Sequence, residues 1–209
     1  MTDAESDDRE GSETEAENAA EGADTAPHAV VLDHLPHGRP GDDRPQYEKA
    51  PIVYALGERD FRLVEVDLAD DADVSIGDRV ALDPSASDLI ERIREVEYED
   101  ISNGARSELE YVVADVVERE EDRFVEFFNE AQPITLRLHQ LNLLPGIGKK
   151  LRNNVLDERK REPFADFADL TERVSGLHDP KGVLVDRIIE ELRDEDLKYK
   201  LFVRPEDGA

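Results

Sequence analysis

Residues 143–150 read Leu-Leu-Pro-Gly-Ile-Gly-Lys-Lys. Two glycines flank one aliphatic residue, with Pro145 before them and Lys149 and Lys150 after, which spells a tight hairpin opening a helix. Gly146 and Gly148 accept backbone angles that a side chain forbids, and they let another backbone approach closely. The amides of Gly146, Gly148 and Lys149 then project at a helix start, where N–H groups without partners and the helix dipole favour an anion. Ile147 plugs the gap between the flanking helices, and the two lysines add mobile positive charge. A nucleic-acid phosphate is the expected occupant.

Other chemistry has little support. Of the five histidines, His34 and His37 lie close together in a loop but lack a third metal ligand at suitable spacing. His139 reads as a packed or surface histidine and His178 as part of a turn, while His28 precedes the first apolar run. Carboxylates are so numerous, 53 in all, that no pair is informative. No Gly-x-x-x-x-Gly-Lys phosphate loop and no nucleophile elbow occurs. Without cysteine there is no disulfide and no thiolate metal site. The expectation is a protein that is not an enzyme and holds no metal.

The formal net charge of −27 argues against nucleic acid when taken globally, but its distribution does not. Residues 1–26 hold ten acids and one base, and residues 27–132 hold 28 and 11. Within residues 134–161 there are two acids and seven bases. The hairpin therefore sits in a local basic stretch of an acidic chain. Seven lysines accompany nineteen arginines, and acids are spread over every segment, as on surfaces adapted to a cytoplasm of high salt. Salt weakens phosphate contacts, so a binder in such a cell must lean on backbone hydrogen bonds and shape. The chain lacks a signal peptide and any apolar run of membrane-spanning length, which predicts a cytoplasmic protein with no membrane partner.

The elements that position the hairpin follow from patterning. Residues 1–28 form an acidic tail too poor in apolar residues to order itself. Residues 29–104 read as a small β-barrel, with strands at Ala29–Leu32, Ile52–Leu56, Phe61–Val66 and Ile76–Leu82. Residues 89–98 fit a helix or a strand. Connecting helices occupy 105–132: Ser107-Glu-Leu-Glu has the form of a capping box, and Leu109, Val112, Val113, Val116 and Val117 follow at helical spacing. Pro133 starts a helix with Ile134, Leu138 and Leu141 on one face. After the hairpin, Leu151, Val155 and Leu156 return to the core. Asp166 caps a short helix, and Asp179-Pro180 opens a last one carrying Val183, Leu184, Ile188 and Leu192. Residues 204–209 are a tail.

The order helix, hairpin, helix, connector, hairpin, helix over residues 133–203 resembles a tandem helix-hairpin-helix domain. In that motif the hairpin amides grip a backbone phosphate without reading bases, often with a bound monovalent cation. The resemblance implies amides from Gly146, Gly148 and Lys149 around the Pro145–Ile147 turn, and side-chain contacts from Lys149, Lys150 and Arg152. It implies no other cofactor. The position four after Gly148 is usually small in this motif and is Arg152 here, which predicts a different packing or tilt of the second helix. The second hairpin, residues 176–182, lacks Gly-x-Gly and is either structural or a weaker contact through Lys181.

Residues 29–203 also resemble an uncharacterised, mainly archaeal family of predicted nucleic-acid-binding proteins. The matching stretches are Ser107-Glu-Leu-Glu-Tyr-Val-Val, Arg123-Phe-Val-Glu-Phe-Phe-Asn-Glu-Ala, the hairpin itself, Gly176-Leu-His-Asp-Pro and Lys198-Tyr-Lys-Leu-Phe-Val. The implied fold is α+β, a small OB-like β-barrel followed by an all-α tandem helix-hairpin-helix domain. The expected function is sequence-independent binding of RNA or DNA. RNA is slightly preferred because small barrels handle single strands, with Tyr54, Phe61 and Tyr98 as the aromatic candidates. The alternative is a protein-interaction module in transcription or translation, its hairpins purely structural. A nuclease or repair enzyme is disfavoured, since no acid cluster stands out as a metal site.

Overall fold

The computed structural model describes residues 27–39, 45, 49–69, 72–83 and 90–203. The acidic segment 1–26, most of the loop before Lys49 and the tail 204–209 lie outside the described residues. Among the described residues are five strands, β1 (His28–Leu35), β2 (Ile52–Gly57), β3 (Leu63–Leu68), β4 (Arg79–Ala81) and β5 (Ile90–Glu95). They form one antiparallel sheet in the order β4-β1-β2-β3-β5. The α-helices are α1 (Asn103–Arg119), α2 (Glu121–Glu130), α3 (Lys149–Arg161), α4 (Phe167–Arg173) and α5 (Pro180–Arg193). The protein is thus a mixed α+β fold. Its sheet is a curled half-barrel in which β4 and β5 stand as the two ends.

Both faces of the sheet are buried, so its strands read as continuous apolar runs rather than alternating ones. Ala29, Val31, Val53, Ala55, Val64 and Val66 pack on the face away from the helices with Leu68, Val74 and Ile90. Val30, Leu32, Ile52, Leu56 and Leu63 face the helices. There α1 buries Ala105, Leu109, Val112, Val113, Val116 and Val117, the stripe expected from its 3.6-residue period. One apolar cluster runs from these strands through α1 and α2 to Leu141, Ile147, Val155, Leu170, Leu184 and Phe202, uninterrupted at residues 104 and 132. Buried Glu58 reinforces the joint. Arg79 and Arg119 donate to its carboxylate at 2.7 and 2.6 Å, and Arg123 donates to its carbonyl at 3.0 Å.

Three local expectations change. Strand β3 begins at Leu63, because Phe61 takes a positive φ of 54° in the turn after β2 and points into the core, 6.1 Å from Phe124. The helix after the sheet starts four residues before Ser107. Ser102 is its N-cap, accepting the Ala105 amide at 2.9 Å, and Ser107 sits inside the helix, its hydroxyl donating to the Asn103 carbonyl at 3.0 Å. A bulge at Leu32 in β1 turns Asp33 to the helix side, where its carboxylate accepts the Ser102 hydroxyl and steadies this first turn.

The third change bears on the site. Residues 133–139 form a tight turn closed by a bridge between Pro133 and His139, followed by a 3-10 helix at Gln140–Leu143. The Thr135 hydroxyl accepts the amides of Arg137 and Leu138 at 3.3 and 3.0 Å, which offers the backbone an alternative to helical bonds. Leu136, expected to lie within a helix, is fully exposed at the tip. The later helices match their capping residues: Asp166 accepts the Asp169 amide at 2.7 Å, and Asp179 accepts the Gly182 amide at 2.8 Å.

Candidate functional site

Five residues, Leu144–Gly148, join the 3-10 helix to α3. Leu144 and Ile147 are buried and anchor it, while the Ile147 amide donates to the Leu144 carbonyl at 3.2 Å. Gly146 has a φ of +75°, which only glycine adopts cheaply. Gly148 is the N-cap of α3 with φ −75° and ψ 177°, and no side chain caps that end. The Gly148 amide donates to the Gly146 carbonyl at 3.1 Å, so it is committed within the loop. The amides of Gly146, Lys149, Lys150 and Leu151 find no acceptor among the described residues. A Cβ built on either glycine meets nothing within 4 Å, so open space lies before both. The start of a 13-residue helix thus presents unused N–H groups and its positive dipole end to that space.

The bases of the stretch divide into free and committed groups. Lys149 and Lys150 are exposed beside the free amides and pair with no acid among the described residues, and the same holds for Arg137 in the 133–139 turn. Arg152 is committed: its Nη1 donates to Asn142 Oδ1 at 2.9 Å, and its other nitrogens reach Asn153. Asn142 Nδ2 in turn donates to the Ile147 carbonyl at 3.0 Å, so Asn142 ties α3 to the middle of the loop. Arg159 donates to the carbonyls of Phe128 and Asn129 at 3.0 and 2.9 Å, closing the end of α2. Arg161 and Lys160 pair with Glu158 and Asp157 at 2.7 and 3.6 Å.

Sequence reasoning did not find Asn142. Its only signal was an amide side chain, able to donate and accept at once, just before the glycine loop.

The second hairpin lies against the first. A Cβ on Gly176, whose φ is +99°, would stand 3.7 Å from Leu151, and Asn154 donates to the Ser175 carbonyl at 3.2 Å. Its chemistry is closed to anions. Asp179 already occupies the start of α5 with a carboxylate, and Lys181 is drawn to Glu118, whose carboxyl that lysine holds below its usual range.

The remaining candidates have structural partners. His139 is buried, and its Nδ1 accepts the Leu141 amide at 3.2 Å. Burial depresses its pKa, and Arg159 and Arg152 add to the effect. Tyr54 and Phe61 lie in the core, and the Tyr98 ring is flanked by Arg106 and Arg193, so none offers a free stacking face. Among the described residues no group of His, Asp or Glu is placed to hold a metal ion, and no helix is long and apolar enough to cross a membrane.

Comparison with other proteins places this geometry in a lineage. Residues 25–204 match the family profile DUF655, described as a protein of unknown function. The chain belongs to the DUF655 family. An uncharacterised protein of Methanocaldococcus jannaschii is 42% identical over 183 residues, covering 87% of this chain and 81% of that one. A crystal structure of a DUF655 protein from Archaeoglobus fulgidus superposes with a TM-score of 0.78 at 40% identity, covering 85% of this chain and 99% of the other. The fold is thus shared with the Archaeoglobus fulgidus protein over 85% of this chain.

Proposed function

We propose that the Leu144–Lys150 loop and the start of α3 bind a nucleic-acid backbone without reading its bases. The observation that carries this is the coincidence of free amides with empty space. Gly146, Lys149, Lys150 and Leu151 offer donors at a helix N-terminus, and both glycines face an opening with no side chain in it. A phosphate seated there meets the dipole, the amides and two unpaired lysines. In this reading the loop is the hairpin of a helix-hairpin-helix whose first helix is reduced to the 3-10 turn at Gln140–Leu143, and the Gly176 hairpin is its structural partner. The half-barrel sheet is the counterpart of the OB-like barrel. Binding through the amides suits an acidic protein, because it draws phosphate to a neutral backbone at one point of a repelling surface.

The ligand is RNA or DNA, with RNA preferred on the strength of the accompanying β unit alone. Fluorescence anisotropy with single- and double-stranded RNA and DNA of unrelated sequences tests the proposal. Affinity should be indifferent to sequence and fall with salt at a slope of about two to four phosphates. Absence of binding to all four ligands at low salt would refute it. A second reading, a protein-interaction module, draws on the fully exposed Leu136 and the largely exposed Tyr111. It predicts capture of a protein partner that Leu136→Ser and Tyr111→Ser abolish and Gly148→Val leaves intact.

A further inference from the structure

Away from the hairpin, the sheet carries a charged row that the loop does not use. Asp33, Tyr54, Glu65 and Arg94 are successive cross-strand neighbours on β1, β2, β3 and β5. All four sit on the helix-facing side, where the apolar cover ends at the start of α1. Glu65 is 1% exposed in its side chain. A carboxylate so deep in a fold must be paired, and it is. Arg39 Nε and Nη2 grip its two oxygens at 2.5 and 2.7 Å, and Arg94 Nη2 donates to Oε1. Burial alone would raise the Glu65 pKa, but the two arginines hold it below the usual carboxylate range. Burial and the Glu65 charge raise that of Tyr54.

Glu65 neutralises one of the two guanidinium charges and holds both arginines side by side. What they leave unused opens into a pocket of about 570 Å3, walled by Arg39, Tyr54, Glu65, Arg94, Glu95 and Asp100, with the Glu95 carboxylate paired to Arg62 at 3.7 Å. Arg39 Nη1 and Arg94 Nη1 bond to no group among the described residues, and Arg94 Nε is sealed from solvent with no acceptor among them. The two Nη1 groups are therefore the donors that a ligand in the pocket reaches, because an atom closed to water is closed to a ligand as well. The start of α1 does not supply the attraction, because Asp33 already lies against Gly104 there. The arginine pair does.

We propose that this pocket binds a small organic oxyanion, its phosphate or carboxylate group clasped by Arg94 and Arg39. The guanidinium forks match either group in plane and spacing. The pocket is larger than a bare inorganic ion needs and falls in the range of small-molecule sites. Asp100 in the lining accepts from a hydroxyl or amine on the rest of the ligand. The site is independent of the hairpin, shares no residue with it, and stands whether or not the loop binds nucleic acid.

Calorimetric titration of the full chain with inorganic phosphate, adenosine monophosphate and citrate, at constant ionic strength, tests it. Saturable binding of at least one organic probe, tighter than inorganic phosphate, is expected. Arg94→Gln should weaken it about ten-fold, while the Lys149→Ala/Lys150→Ala double variant leaves it unchanged. The tighter of the nucleotide and the tricarboxylate then identifies the group recognised. A second measurement needs no variant: the Arg94 Nε–Hε resonance of the unaltered protein should shift as the probe is added, because an anion on Nη1 changes the charge distribution of the same guanidinium. Lack of saturable binding by any organic probe, binding indifferent to Arg94→Gln in a folded variant, or an unmoved Arg94 Nε resonance would overturn the proposal.

Discussion

Arg152 donates from Nη1 to Asn142 Oδ1 at 2.9 Å, and the nitrogen of the same amide group holds the Ile147 carbonyl at 3.0 Å. A cation that the basic patch suggests as a phosphate contact is thereby a brace for the loop. Arg152→Ala should lower nucleic-acid affinity through a loosened loop while leaving the salt slope unchanged. Lys149→Ala should lower the slope by about one. Asn142→Ala should cost about 1 kcal/mol of stability, since it strands both a guanidinium and a carbonyl. Chemical denaturation and salt titrations of the three variants separate brace from contact.

The two glycines of the loop should respond differently to substitution. Gly148 has an ordinary φ of −75° and open space around its Cβ position. Gly148→Val is therefore expected to leave the fold intact at a cost of no more than about 1 kcal/mol, since valine caps a helix less well than glycine, and to abolish binding by filling the approach. Gly146→Val forces a β-branched residue to a φ of +75°, at a cost of about 1–2 kcal/mol, and the melting temperature falls with it. Retained binding by a folded Gly148→Val protein would remove the proposed contact.

Glu191 is completely buried and gathers the C-terminal segment. Its oxygens accept the amides of Leu201, Phe202 and Val203 at 2.7, 2.9 and 3.0 Å, together with Arg187 Nε at 2.7 Å. The segment it holds places Phe202 against Phe124 and Phe127. Glu191→Ala strips the acceptor from Arg187 Nε, which keeps only Glu190 and the Tyr199 carbonyl on its other nitrogens, and strands three amides, so it should destabilise the protein by roughly 3–5 kcal/mol. Hydrogen exchange should accelerate first at Leu201–Val203. Unaltered protection of those amides would show that the aromatic packing alone secures the segment.

His139 makes stability depend on pH. Burial, with the charges of Arg159 and Arg152, depresses its folded pKa below the ordinary imidazole value of about 6.5. The unfolded chain therefore binds the proton first as pH falls. The stabilisation is complete above about 6.5 and is lost as the pH drops toward the depressed folded value. His139→Asn keeps an acceptor for the Leu141 amide and removes the titration. Between pH 7 and 5 its melting temperature should fall less than that of the unaltered protein. Parallel falls in the two would assign the acid response to other groups.

Much of this molecule is written in local patterns. The valine stripe of α1 appears at 3.6-residue spacing, Asp179-Pro180 announces α5, and Leu-Pro-Gly-Ile-Gly marks a tight entry to α3. Each depends on residues within one turn of one another, so the information is contained in the segment itself. Even residues 89–98, which fit either period, pair from Ile90 as strand β5 beside β3, because a neighbouring edge with matching register decides between them.

What the chain alone does not reveal are choices made by partners far along it. Ser102 rather than Ser107 starts α1 because Asp33, 69 residues earlier, reaches it across a bulge. His139 ends the 133–139 turn inside the fold, within electrostatic reach of Arg152 and Arg159 of α3. Composition shows seven bases around the hairpin; only the packed structure determines which are spent. Arg152 and Arg159 hold the frame, whereas Lys149 and Lys150 stand free. A charge acquires its role from the acceptors that folding brings within about 3 Å, and sequence spacing carries no record of that distance.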